Sequence, residues 1–490
     1  MAFYVTTPIF YVNAAPHLGH AYTTIAADVL ARHMRRRGED VFFLTGTDEH
    51  GEPVALAAER EGVSPRELAD RNAERFKALL PVLNASNDFF IRTSDPEHER
   101  RVQEVLQRVH DNGHVYKGVY EGWYCPRCAD FKSENEIGPG NTCPIHGIKL
   151  TWEEEENYFF ALSAFQQRLE ELHGTDFVQP RARANEARAF IAQGLQDVSL
   201  TRGKITWGVR VPWDDSHVFY VWFDALLNYY TALGFARDGE DLTGRFWGPP
   251  TTHLIGKDIL KFHTIYWPAL LMAADIELPR RVFIHGFLLG HDGRKMSKSD
   301  GNVLDPFEVI DRFGTDALRY YLMRDVAFGE DGSVSMQGVE RRYETELAND
   351  LGNLASRTIA MVRRYRDGAV PATAPEPLVA GAEDEVAAAM DDFRISDALE
   401  AIWQRVRRLN AYVEEQAPWK LAKEDGREQD LDRALATLVD GLRRLAALLE
   451  PFMPDAMGRL AGAVEADELE PLEPLFPKRE PADREVVAPQ

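Results

Sequence analysis

Two short clusters in this 490-residue chain carry residue types suited to handling phosphate. His17-Leu18-Gly19-His20 follows Pro16 at the point where a short β-prone run gives way to a helical pattern. Both rings then share one face beside a helix N-terminus, where free N–H groups and the helix dipole attract an anion, and Gly19 lets a flat ring approach the backbone. Capping or solvated histidines are the plainer use of such a tetrapeptide. Lys295-Met296-Ser297-Lys298-Ser299 follows the Gly-rich turn Gly290-His291-Asp292-Gly293. Two lysines three apart, with hydroxyls beside them, make a cationic loop suited to a polyphosphate whose charge moves toward a leaving group. The alternative there is a solvated basic turn.

A third cluster points to metal. All three cysteines fall in Cys125-Pro126-Arg127-Cys128 and Cys143-Pro144-Ile145-His146. This C-x2-C and C-x2-H pair predicts two knuckles that hold one tetrahedral Zn2+, and a set so rich in thiolate leaves no place for a catalytic water, so the zinc is structural. Free thiols in a loop, or His146 as a bystander to another fourth ligand, remain open at this point. Three cysteines cannot build a disulfide framework, which suits a reducing compartment.

The elements that must position these clusters read as an open α/β fold. Phe3 to Thr7 is a β-prone run, Leu18 to Arg37 carries apolar residues at helical spacing, and Val41-Phe42-Phe43-Leu44 is a second strand running into Thr45-Gly46-Thr47-Asp48. Ser64-Pro65-Arg66-Glu67 predicts a capped helix from Pro65 toward Leu83. The rhythm breaks near Asn112-Gly113 into a turn-rich, cysteine-bearing insertion that lasts to about Pro212. Sheet-like runs resume at Val218–Val221, Thr252–Ile255 and Val282–His285, with a helical pattern from Ile259 to Ala273. After about Ser335 the chain reads as helical at roughly 346 to 366, 383 to 415 and 430 to 449. The histidine and lysine clusters would then lie at the carboxyl ends of one parallel sheet, around one crevice. Gly256-Lys257 is followed by Asp258, so no P-loop is present, and no G-x-G-x-x-G follows a strand.

Four further segments join these clusters: Tyr11 and Asn13; Gly46-Thr47-Asp48-Glu49-His50-Gly51; Val221-Trp222-Phe223-Asp224-Ala225; and Gly256-Lys257-Asp258-Ile259 with Phe262-His263. With them the chain resembles, from end to end, the class I aminoacyl-tRNA synthetases and more closely the methionyl-tRNA synthetase family. The resemblance implies a Rossmann-like parallel-sheet catalytic domain in two halves, 1–112 and 213–285, with a zinc-binding insertion at 113–212. A lysine-loop and stem-contact region would follow at 286–345, an all-α helical-bundle anticodon-binding domain at 346–470 and an irregular tail at 471–490.

It also implies residue roles. His17 and His20 would act on the triphosphate of ATP with Lys295 and Lys298, Mg2+ sharing the charge. Gly19, Gly256, Asp258 and Ser297 would complete the ATP site, with Asp258 at the ribose. Asp48 would bind the methionine ammonium, while Ile9, Tyr11, Trp222, Ala225, Leu226, Tyr229, Ile259 and His263 would line the side-chain pocket, where a soft thioether suits aromatic walls. Leu226 stands where some relatives have proline, and His146 where some have a fourth cysteine. Trp419, Asn353 and Arg357 would read unpaired anticodon bases, with Arg363, Arg364, Arg366, Arg405, Arg407 and Arg408 as a phosphate track. Taken singly, each of these aromatic and arginine residues is ordinary core or surface. Asp48, Glu49 and His50 are not a second metal cluster, because neighbours on a strand end point apart.

Composition sets the outer limits. An apolar fraction of 44% with 28% charged residues is that of a globular protein, and 56 basic against 79 acidic residues give −23, which excludes a generally basic nucleic-acid coat but not a local basic track. No stretch is apolar enough for a membrane span and the N-terminus lacks a signal pattern, so the expectation is a cytoplasmic enzyme with no membrane partner. The absence of an appended module after the bundle suggests a monomer. The expected partners are ATP, L-methionine and tRNA(Met), initiator and elongator. Two alternatives stand beside this reading: a class I synthetase for another apolar or thiol amino acid, and a catalytically silent tRNA-binding protein on the same fold.

Overall fold

The computed structural model describes residues 1–127, 130–132, 134–296, 303–466 and 468–478. The chain forms two compact units, Met1–Phe287 and Leu288–Gln490.

The first unit opens with β1 (Ala2–Thr6), β2 (Phe10–Tyr11), α1 (Leu18–Arg36), β3 (Asp40–Asp48), α2 (Glu52–Glu61), α3 (Pro65–Val82), β4 (Phe89–Arg92) and α4 (Pro96–Asp111). Ser64 caps α3 by accepting from the Glu67 N–H at 3.2 Å. β3 is buried along nearly its whole length, as a strand covered on both faces must be, and continues through Asp48.

A small antiparallel sheet follows, built from β5 (Val115–Cys125), β6 (Asp130–Lys132), β7 (Thr151–Phe160) and, after α5 (Gln166–His173), β8 (Val178–Gln179) and α6 (Arg181–Ile191), β9 (Val198–Ser199). β8 leaves it to pair in parallel with the main sheet. Residues 113–212 therefore do not stand apart from the catalytic sheet as a pure insertion, because this stretch supplies one of its strands.

β10 (Thr201–Arg202), β11 (Arg210–Val211) and β12 (Asp214–Phe219) make a third, antiparallel sheet. The sheet-like run at Val218–Val221 is split. β12 stops at Phe219, Tyr220 caps the next helix, and Val221 begins α7 (Val221–Thr231). A short apolar run reads alike in a buried strand and a buried helix, so its pattern could not separate the two.

After α8 (Thr243–Phe246) come β13 (Thr251–Gly256), α9 (Trp267–Ala273) and β14 (Arg281–His285). The expected helix from Ile259 to Ala273 is broken. A 3-10 turn covers Lys257–Ile259 and a wide π-type turn Phe262–Tyr266 before α9 begins.

The main sheet has seven parallel strands in the order β2-β3-β1-β13-β14-β8, with β4 also on β3. From central β1 the chain moves first to β3 on one side, and only much later to β13 on the other. That reversal opens a crevice at the carboxyl ends of β1 and β13, the usual place for a ligand in such sheets.

The second unit begins with a small parallel pair, β15 (Leu288–Leu289) and, after α10 (Pro306–Phe313) and α11 (Thr315–Asp325), β16 (Gly332–Ser333). A continuous helical run then joins α12 (Met336–Arg342), a π-type stretch Tyr343–Gly352 and α13 (Asn353–Arg366). It is followed by α14 (Ala382–Asp391), α15 (Ile395–Gln416), α16 (Pro418–Leu421), α17 (Glu428–Leu449) and α18 (Pro454–Glu465). Arg319 is fully buried in this bundle, with its guanidinium donating to the carbonyls of Pro451 and Phe452.

Candidate active site

His17 is the N-cap of α1. Its Nδ1 accepts from the Gly19 N–H at 3.1 Å, while the His17 N–H donates to His20 Nδ1 at 3.0 Å. The rings stack at 3.7 Å. Capping and phosphate recognition are therefore not rival uses of the pair, because the caps spend the Nδ1 atoms and hold the two rings together at the helix N-terminus. Burial, and then the neighbouring His17, lower the pKa of His20 well below the usual histidine value.

Gly256 ends β13 beside Asp258, where a Cβ on residue 256 would stand 2.6 Å from Asp258 Oδ1. Asp258 itself is exposed. Next to it, His285 at the end of β14 meets the Thr23 hydroxyl of α1 at 2.8 Å, tying helix to sheet across the crevice.

Asp48 ends β3 at 2% exposure, and its Oδ1 has no hydrogen-bond partner among the described residues. Burial, and then the nearby Asp224, push its pKa well above the carboxylate range. A buried carboxylate oxygen with no partner is costly unless a cation arrives to meet it.

The aromatic residues gather beside it. Trp222 on α7 stacks on Phe262 at 3.7 Å with planes 5° apart, meets Tyr11 edge-on at 6.1 Å and His263 edge-on at 6.3 Å. Ile9, Tyr11 and Ile259 are half-buried and pack on the same cluster as Trp222, Leu226 and Tyr229, while Ala225 is buried on α7. The π-type turn brings His263 against Tyr229. His263 Nδ1–H donates to the Ile259 carbonyl at 3.1 Å, so Nε2 accepts from the Tyr229 hydroxyl at 2.8 Å. Burial lowers His263 to about 4, which keeps this tautomer uncharged. Among the pocket residues it is the Tyr229 hydroxyl that is bonded to His263.

Some features were not read from the sequence at all. Asp224 lies fully buried beneath the pocket and accepts from His50 Nδ1 at 2.6 Å and from His98 Nε2 at 2.8 Å. Burial opposes its charge, but His50 and His98 outweigh it and hold Asp224 at about 2. Glu49 turns the other way, to Arg92 at 2.7 and 2.8 Å and to Thr47 at 2.6 Å. Glu49 and His50 therefore point apart, whereas Asp48 and His50 both lie near Asp224. The only available signals were the polar Asp224 inside an apolar helix and the His98 on the buried face of α4.

Cys125 and Cys143 are buried, with Sγ atoms 3.8 and 3.7 Å from His146 Nδ1, and the three donor atoms lie within 4.8 Å of one another. This is a candidate metal site, and no other such group occurs among the described residues. Cys128 lies outside the described residues.

In the second unit, Lys295 is exposed in a turn bridged to Leu289, while Ser297 and Lys298 lie outside the described residues. Asn353 and Arg357 stand four apart on α13, and the Arg357 guanidinium lies 5.6 Å from the Trp419 ring centroid. Much of the expected phosphate track is already occupied. Arg366 pairs with Asp432, Arg405 with Glu385, Arg407 with Glu400 and Arg408 with Glu415. The Arg-rich helix faces carry acidic partners in reach, which a count of arginines could not reveal.

A crevice at the strand reversal of a parallel sheet, with stacked histidines at the start of the first helix, is the arrangement of the class I aminoacyl-tRNA synthetases. A family model described as "tRNA synthetases class I (M)" matches residues 3–149 and 139–359, and one described as "Anticodon binding domain of methionyl tRNA ligase" matches 378–475. The chain is 45% identical over 463 residues to a methionine–tRNA ligase of Caldanaerobacter subterraneus subsp. tengcongensis, covering 92% of this chain and 72% of that one. With the Synechocystis sp. enzyme it shares 46% over 466 residues, 92% and 87% of the two chains. The Mycobacterium tuberculosis methionyl-tRNA synthetase in complex with methionyl-adenylate superposes with a TM-score of 0.92 at 40% identity, over 97% of this chain and 100% of that one. The chain belongs to the methionyl-tRNA synthetase family. Among the described residues no helix is long and apolar enough to cross a membrane.

Proposed function

We propose that the chain activates L-methionine with ATP to methionyl-adenylate and pyrophosphate, then transfers methionine to the 3′-terminal adenosine of tRNA(Met), for initiation and elongation. The observation that carries this reading is the buried Asp48 oxygen without a partner, set beside the Trp222, Tyr229 and His263 walls. An α-ammonium supplies the missing cation, and an uncharged aromatic and imidazole surface suits a thioether.

In the first step the methionine carboxylate attacks the α-phosphate in line, and pyrophosphate leaves. The protein's part is positioning and charge stabilisation. Asp48 orients the amino acid; Ile9, Tyr11, Trp222, Ala225, Leu226, Tyr229, Ile259 and His263 enclose its side chain. His17 and His20, with Gly19 between them, hold the phosphates at the N-terminus of α1, and Asp258 beside Gly256 binds the ribose. Lys295, Ser297 and Lys298 would balance the β- and γ-phosphates as charge moves to the leaving group. Bound Mg2+ supplies further neutralisation of the triphosphate.

Cys125, Cys128, Cys143 and His146 would hold one structural Zn2+. Around a tetrahedral zinc with bonds of roughly 2.1–2.3 Å, neighbouring donors stand about 3.6 Å apart, close to the 3.7 and 3.8 Å between the thiols and His146. Trp419, Asn353 and Arg357 would read the anticodon. We place the protein in the cytoplasm as a monomer.

Amino-acid-dependent ATP–pyrophosphate exchange tests the reading, with methionine, cysteine, valine, isoleucine, leucine and homocysteine supplied separately. Exchange strongest with methionine is the expected result. Preference for another amino acid overturns the pocket, and no exchange from folded protein overturns the activity.

A further inference from the structure

His50 sits two residues beyond Asp48 and is 1% exposed, yet it meets a carboxylate at each ring nitrogen. Nδ1 is 2.6 Å from Asp224 Oδ2, and Nε2 is 3.5 Å from Oε1 of the half-exposed Glu99. A single neutral tautomer would turn a lone pair toward one of these oxygens, so the geometry calls for protons on both nitrogens. Trp207 packs against the ring in a T-shaped contact at 5.2 Å, and its Nε1 donates to the Glu49 carbonyl. Asp224 is held from its other oxygen by His98, whose Nδ1 meets the Thr231 hydroxyl at 2.7 Å.

Two buried carboxylates, Asp48 and Asp224, therefore share one region with His50 between them in charge. The charged and titratable groups that act on Asp48 are Asp224 from α7, Glu49 from its own loop and His50, while Tyr229 lies close enough to feel Asp48 in turn. Of the first three, only His50 can be positive.

We propose that His50 is a positioning residue for the amino-acid site: its imidazolium, clamped between Asp224 and Glu99, offsets the Asp224 charge and lessens the cost of ionising Asp48 when the substrate's α-ammonium arrives. This rests on the assignment of Asp48 made above. Burial opposes a charge on His50, but Asp224 and then Glu99 outweigh it and hold the imidazolium to about 10, so the ring stays charged through neutral pH. Removing His50 alone leaves Asp224 with His98 as its one remaining histidine partner and raises Asp48 further. Because the ionised form of Asp48 binds substrate, the resulting loss is greatest at low pH and recovers as pH rises.

The test is methionine-dependent ATP–pyrophosphate exchange across roughly pH 6 to 9. His50→Gln is expected to raise the methionine KM about tenfold at neutral pH, with the acid limb of kcat/KM moved up by about one pH unit and the KM for ATP unchanged. The double variant His50→Gln/Asp224→Asn is expected to regain most of that loss, because it removes the charge together with its partner. Glu99→Gln, at a half-exposed site, should shift the limb the same way by about two- to threefold in KM. A loss that is uniform across pH, or a double variant at least as impaired as the single one, overturns the proposal. Should His50→Gln fail to fold, Glu99→Gln decides, and an unchanged methionine KM at every pH overturns it. Asp48→Asn tests the underlying assignment separately: retained methionine-dependent exchange removes Asp48 from the site whatever His50 does.

Discussion

The proposed amino-acid pocket and the helices proposed to read tRNA treat charge in opposite ways. Asp48 is buried with an oxygen that has no partner among the described residues, and His263 is kept uncharged by burial. On α13 and α15 the arginines are exposed or half-buried and most are already paired, Arg357 with Glu414 at 2.8 Å and Arg405 with Glu385 at 2.6 Å. In the proposed pocket a cationic ligand would meet the unpartnered Asp48 oxygen. On the helices a ligand must displace an internal partner, so each contact nets little but many can be exchanged. The difference is the one expected between the proposed small-molecule site and the proposed polyanion surface.

Asp48→Asn should break the first half of the contrast most severely. An ammonium left facing an amide in a buried site costs about 3–5 kcal/mol, so the methionine KM in pyrophosphate exchange should rise by two to three orders of magnitude. A loss under tenfold would mean the ammonium is met elsewhere. Trp419→Ala touches the other half: at about 1–3 kcal/mol per stacked base, tRNA charging should fall on the order of tenfold or more while exchange stays intact. Equal loss of both activities would remove Trp419 from the RNA surface. Tyr229→Phe deletes one buried hydrogen bond to His263, worth about 1 kcal/mol, and should cut methionine kcat/KM by about fivefold, with discrimination against leucine reduced in step. Glu414→Gln is the subtlest probe. Freeing Arg357 from a surface pair worth under about 1 kcal/mol should raise tRNA affinity by up to threefold at low salt and leave the methionine KM alone. Weaker tRNA binding would show that the pair orders Arg357 rather than competing for it.

Local patterns carried much of this into the sequence. The first strand, helix and strand, the Ser64 cap and the helical second half follow from periodicity and capping residues. Ligand spacing points to the cysteine cluster, of which Cys125, Cys143 and His146 converge while Cys128 lies outside the described residues. What depends on distant partners was not legible. Asp224 and His50 lie 174 residues apart, so no spacing rule joins them. The π-type turn that aims His263 at Tyr229 adds one residue to a helical repeat, which a 3.6-residue period cannot show. Tyr220 and Val221 misled for another reason: their apolar run is buried, and burial alone does not distinguish strand from helix.

Central β1 also constrains the order of assembly. Thr6, near the N-terminus, bonds His253 across 247 residues, and Tyr4 has Thr251 as its second neighbour. On the ribosome, at roughly 5–20 residues per second, the first strand made waits on the order of ten seconds or longer for that neighbour. Until then the edge that will close the crevice is an open template for any passing strand. The centre of the catalytic sheet is begun first and finished among the last, so this unit's folding rate is set by a long-range pairing that its helices cannot hasten.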